Sequence, residues 1–144
     1  MAGKRYVYGT TVVWDAGTQG VCAADGLPDL AVAPPADFGG PGDAWSPEQL
    51  LVASVNSCVM ATFLYFAQRA GVELVRYRSE AEGVVQFGDQ GLAFTSLTVR
   101  PSVTVAAGHL AAARDAMARV GKCLVSNSLA AEVKVEPEVS EVSV

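Results

Sequence analysis

The sequence predicts an α+β fold in one domain over residues 1–144, and three observations predict it. Alternating, β-branched stretches stand on either side of one long apolar helical stretch. A shorter alanine-rich helix follows late in the chain, and strands and helices come in blocks instead of in regular βαβ alternation. A chain of 144 residues is long enough to close a hydrophobic core of its own.

The first block is a set of short strands. Arg5 to Trp14 (RYVYGTTVVW) is rich in β-branched and aromatic residues and reads as a strand, followed by a turn over Asp15 to Gly20. Val21 to Ala24 and Leu30 to Ala33 read as two more strands, separated by the turn signal Asp25-Gly26. Together they make a small antiparallel meander. PPADFGGPGDAWS, from Pro34 to Ser46, is a Pro/Gly-rich loop leading into the helix.

The chain is organised around Ser46 to Ala70, SPEQLLVASVNSCVMATFLYFAQRA. Ser46 is a good N-cap, Pro47 suits the first helical position, and Gln49 completes a capping box three residues on. Gly71 supplies the stop. Apolar residues cover nearly the whole circumference, the mark of a buried helix or a membrane span. Ser54, Asn56, Ser57 and Thr62 interrupt the run, so the expectation is a helix buried within a protein that does not enter the membrane. Cys58 lies at its middle.

After the helix, Val72 to Phe87 alternates, with Arg76, Arg78, Glu80 and Glu82 on one face and Val75, Tyr77 and Ala81 on the other. Gly88-Asp89-Gln90-Gly91 is a hairpin turn into a strand over Leu92 to Val105, where Pro101 marks an edge or a bulge. Ala106 to Val120 reads as a helix with Leu110, Ala113, Met117 and Val120 on one stripe. Cys123 to Ala131 is a short helix, and Val133 to Val144 a final strand.

Composition narrows the function. At 51% hydrophobic and 17% charged residues, the chain is richer in apolar surface than one small domain needs, which predicts a homodimer. A net charge of −5 leaves no basic patch for a nucleic acid or an anionic membrane. No seven-residue apolar run precedes Asp15, so no signal peptide is read there and a cytoplasmic location is expected. Cysteines at 22, 58 and 123 fit neither a secreted disulfide scaffold nor a zinc pattern. Nucleotide loops and Ser-His-Asp sets are absent, and no cofactor is expected. The single histidine, His109, reads as a surface residue.

A cysteine inside a helix is ordinarily a small hydrophobe, and its reactivity requires a thiolate with a cation or donor nearby. Cys123 follows a glycine break beside Ser126 and Ser128, and the start of a short helix there can lower its pKa. Cys58 and Cys123 can pair only if the fold brings their Cα atoms within about 7 Å. Cys22, in a strand, reads as structural.

Two motifs carry a resemblance. FGGPGDAWSPEQLLVASVNSC (Phe38 to Cys58) and KCLVSNSL (Lys122 to Leu129) resemble the family of osmotically inducible protein C (OsmC) and organic hydroperoxide resistance protein. Chain length and element order fit as well. The second motif departs from the family in having Leu124 where members commonly have proline.

The resemblance implies an intertwined homodimer in which antiparallel sheets wrap around paired central helices. It implies a thiol peroxidase that takes organic hydroperoxides as substrate and a small dithiol or dithiol protein as reductant, with no metal or flavin. By motif, Cys58 is the peroxidatic cysteine, Cys123 the resolving thiol and Glu48 the active-site glutamate that orients an arginine. Ten helical residues span about 15 Å, so Glu48 is out of reach of the cysteine on its own helix and would serve the partner subunit's. By itself Glu48 is equally a first-turn carboxylate favoured by the helix dipole.

The family's arginine comes from the N-terminal strands or the following loop, and here no lysine or arginine lies between Tyr6 and Arg69. Arg5 stands too early, which leaves Arg76, Arg78 and Lys122 as substitutes. Two readings follow: a thiol-dependent peroxidase, and a non-catalytic dimer of the same fold that binds a small hydrophobic ligand.

Overall fold

The computed structural model describes residues 3–143, apart from the side chain of Lys122. Val144, placed by the sequence in the last strand, lies outside the described residues. The chain divides into two compact units, the first ending at Leu51 and the second starting at Val52.

The first unit holds the expected meander. β1 (Thr11–Ala16), β2 (Gln19–Ala23) and β3 (Leu30–Val32) pair antiparallel in that order, with Val12 opposite Cys22 and Cys22 opposite Leu30. Arg5 to Thr10 is not strand, although its composition favours one, because no neighbouring strand in this chain pairs with it. β1 is exposed along its whole length, Trp14 to 74%. The Pro/Gly-rich loop is pinned at its end by a Val32–Trp45 bridge and by the Ala33 N–H, which donates to the Trp45 carbonyl at 2.9 Å.

α1 runs from Pro47 to Arg69 and starts as its caps dictate. Ser46 Oγ accepts the Gln49 N–H and Gln49 Oε1 accepts the Ser46 N–H, both at 3.1 Å. Gly71, with φ of 71°, ends it in the left-handed conformation. The helix is not buried all round. Within this chain one stripe, Val55, Val59, Phe63 and Ala67, is buried, while Met60 and Tyr65 remain open. By length and mean hydropathy (1.8) α1 is apolar enough to cross a membrane, despite the uncharged polar residues that interrupt it. Its buried stripe instead belongs to a protein core.

The second unit is a mixed sheet with helices packed on it. β4 (Leu74–Gly88) and β5 (Gly91–Val105) form a long antiparallel hairpin. The expected final strand is two strands, β6 (Glu132–Val135) and β7 (Glu138–Glu141), which run parallel to β5 along successive stretches of it. Pro137, without an N–H, falls between them. The α+β class therefore holds, but this sheet is not wholly antiparallel. Nor does Pro101 mark an edge or bulge: β5 is a central strand, and Pro101 sits where β6 has ended and β7 has not begun. No ladder partner there requires its missing N–H.

The predicted helix over 106–120 shortens to α2 (Leu110–Met117), since Gly108 at φ 89° turns the chain before it. α3 is a single turn, Leu124–Asn127. The core joins the α1 stripe to Leu97, Val99, Val103 and Val105 of β5, to Ala113, Ala116 and Met117 of α2, and to Val120 and Cys123. Gly83 allows this approach. A Cβ there would stand 2.6 Å from the Phe94 ring and 3.0 Å from Val52 of α1. A polar tie, from Ser79 Oγ to Asn56 Oδ1, fixes β4 against α1 within this apolar contact.

Candidate active site

The second unit brings Cys58 and Cys123 together. Cys58 is held by α1 one turn past the buried Val55, and is half-buried. Cys123 sits in extended conformation between the 3-10 turn Val120–Lys122 and α3, and is buried. Their thiols interact within hydrogen-bonding reach, and neither is in a disulfide. A separation of 65 positions in sequence is thus closed by packing the 120–127 segment against α1.

The two sulfurs differ in surroundings. Burial pushes the Cys58 thiol up, and the neighbouring Cys123 sulfur adds to the rise. The backbone N–H of Val125 and the hydroxyl of Thr62 only partly oppose it. That hydroxyl also donates to the Cys58 carbonyl at 2.8 Å. At Cys123 burial likewise disfavours the anion, but the Ser126 hydroxyl and backbone, the Cys58 thiol and the Val125 backbone outweigh it and bring the thiol below its ordinary value. Ser126 Oγ lies 2.9 Å from Cys123 Sγ. Of the pair, Cys123 is the more acidic member and Cys58 the less acidic.

Thr62, Val125 and Ser126 complete the thiol pair. Thr62 was legible in principle, standing four residues beyond Cys58 on the same helix face. The contribution of Val125 is a backbone N–H, for which no side-chain signal exists. Leu124, where the family commonly has proline, is the first residue of α3 and 71% exposed. Proline suits that position only because the N–H there needs no helical partner, so leucine leaves the turn intact.

Cations are the point of disagreement. Arg76 and Arg78 do not substitute for the family arginine. They lie on the solvent face of β4, opposite Tyr77 and Ser79, which turn toward the core and α1. Arg78 is already paired with Glu80 at 2.7 Å, and Arg100 with Glu82 at 3.0 Å. The Lys122 side chain lies outside the described residues. No cation among the described residues influences Cys58. In the first unit, Glu48 is half-buried at the start of α1, and its Oε2 is buried without a hydrogen-bond partner.

His109 is not idle surface: its Nδ1 accepts the Glu73 N–H at 3.3 Å, tying the entry of β4 to the turn before α2. Cys22 lies in β2 away from any disulfide. Among the described residues no three His, Cys, Asp or Glu side chains gather to hold a metal ion.

The same architecture is found in solved structures. An OsmC-like protein of unknown function from Vibrio cholerae superposes with a TM-score of 0.85 at 19% identity, over 93% of this chain and all of that one. A putative organic hydroperoxide resistance protein from the same organism, with captopril bound in one of its active sites, matches at 0.67 and 25% identity over 99% and 97% of the two chains. The Bacillus subtilis protein YmaD, itself uncharacterized, is 24% identical over 118 residues, 76% of this chain and 77% of its own. Residues 40–138 match the family model of OsmC-like proteins, and the chain belongs to that family.

Proposed function

We propose that this protein is a thiol-dependent peroxidase that reduces organic hydroperoxides through Cys58 and Cys123. The adjacency of the two thiols carries this reading. Cys58, the more accessible sulfur, passes its proton to Cys123. Its thiolate then attacks the O–O bond, releases the alcohol and becomes a sulfenic acid. The Cys123 thiol condenses with the sulfenic acid, forming a disulfide and water. A small dithiol or dithiol protein returns the pair to the reduced state by exchange.

A buried carboxylate oxygen without a partner is costly, so Glu48 calls for a donor supplied from outside this chain. In this reading it reaches across a homodimer interface toward the partner subunit's cysteine, and it assists the reaction by orienting a cation there. The open face of α1 at Met60 and Tyr65 and the exposed apolar side chains of β1 support such a dimer. The protein acts in the reducing cytoplasm, where free thiols persist.

The second reading, a non-catalytic dimer binding a small hydrophobic ligand, is favoured by the absence of a cation beside Cys58 among the described residues and by the upward shift of its thiol. Consumption of an alkyl hydroperoxide with a dithiol present, compared between wild type and Cys58→Ser, separates the two.

A further inference from the structure

The peroxidase reading leaves open which sulfur of the disulfide the reductant attacks. Exchange is directed by access to the attacked sulfur and by stabilisation of the one that leaves. Both point the same way here. Cys123 is 1% exposed and lies 2.9 Å from the Ser126 hydroxyl, whereas Cys58 is half-buried and the hydroxyl nearest it, that of Thr62, donates to the Cys58 carbonyl at 2.8 Å. Ser126 itself is held by α3, whose one turn begins at the residue after Cys123. A serine three residues beyond the cysteine is thereby fixed against its sulfur.

We propose that Ser126 is a positioning residue that holds Cys123 Sγ as the leaving group, so that an incoming dithiol attacks Cys58. The inference rests on the peroxidase reading for the origin of the disulfide and for the class of reductant. In the first step the reductant's thiolate forms a bond to Cys58 Sγ. The Cys58–Cys123 bond breaks, its electron pair leaves on Cys123, and the Ser126 O–H donates to that thiolate. In the second step the other thiolate of the same dithiol attacks its partner sulfur, closing a cyclic disulfide and releasing Cys58 as a thiolate that takes up a proton. The dithiol loses two electrons and the protein disulfide gains two.

The lowered pKa of Cys123 agrees with this direction. Deleting a hydrogen bond to an anion removes a large part of that anion's stabilisation. Leaving-group sensitivity passes on a part of that, so Ser126→Ala slows reduction of the disulfide roughly threefold to tenfold.

The test uses the full chain with its disulfide formed by diamide, which bypasses any hydroperoxide. Limiting N-acetylcysteine is added, the mixture is acid-quenched, and the adduct is mapped by peptide mass spectrometry. The expected result is an adduct on Cys58 with Cys123 as a free thiol; an adduct mainly on Cys123 overturns the proposal. Ser126→Ala is expected to slow the exchange and, in a Cys58→Ser background, to raise the midpoint of Cys123 alkylation by about one pH unit. Ser126→Thr, which keeps the hydroxyl, is expected to restore both. An unchanged rate and midpoint in Ser126→Ala also overturn it. Should Ser126→Ala not fold, the wild-type adduct decides. Correct adduct placement without hydroperoxide turnover would condemn the peroxidase reading, whereas turnover with the adduct on Cys123 would condemn this one.

Discussion

Cys58 on α1 and Cys123 ahead of α3 present their thiols to each other, and the buried member is the more acidic. That inverts the simplest expectation, in which the attacking sulfur is itself held as the anion. Here the first thiol to ionise is Cys123, and its anion is placed to accept the proton of Cys58.

The pair therefore titrates as a unit. The sign follows from the directions of the two shifts. As pH rises, the first proton leaves below the ordinary thiol value and the charge rests mainly on Cys123. A small share of Cys58 thiolate appears with it, held constant by exchange of the remaining proton. Cys58 loses its own proton only above the ordinary value. The rate of Cys58 oxidation by an alkyl hydroperoxide is expected to rise in two steps with a plateau between. A stopped-flow pH profile checks this, and one step at the ordinary thiol pKa contradicts it.

Cys123→Ser separates oxidation from resolution. Without a resolving thiol, one equivalent of hydroperoxide is expected to leave a sulfenic acid on Cys58 that a dione reagent traps. Wild type treated alike yields the disulfide and little trapped product. Intact-mass analysis reads all three species, and a variant that never yields the adduct contradicts the assignment of Cys58.

Gly83→Ala probes the approach of β4 to α1. Its Cβ would meet the Phe94 ring at 2.6 Å, a separation that requires the ring or the helix to move. Overpacking of this kind costs about 1–3 kcal/mol. Urea unfolding is expected to show a lowered midpoint with an unchanged slope, and an unshifted midpoint would mean that Phe94 has room to turn aside.

Much of this was written in local sequence signals. The capping box of Ser46 and Gln49, the stop at Gly71, the meander and the β4–β5 hairpin all follow from chemistry within a few residues. What escaped was set by partners distant in sequence. Arg5 to Thr10 has strand composition but no ladder to join, and β6 and β7 read as one strand because Pro137 alone does not reveal that β5 runs parallel to both.

The site divides in the same way. Cys58, Cys123 and Glu48 were marked by motif, but the meeting of the thiols required the 120–127 segment to fold onto α1. The failure of Arg76 and Arg78 as cations is a matter of strand parity, which alternation already implied: they share the face of Glu80 and Glu82, away from α1.

The most direct measurement of the central claim is consumption of an alkyl hydroperoxide by the purified protein with a dithiol present. Wild type is expected to consume many equivalents per chain, and Cys58→Ser none above the buffer and dithiol background. Equal background rates for the two proteins would contradict the claim.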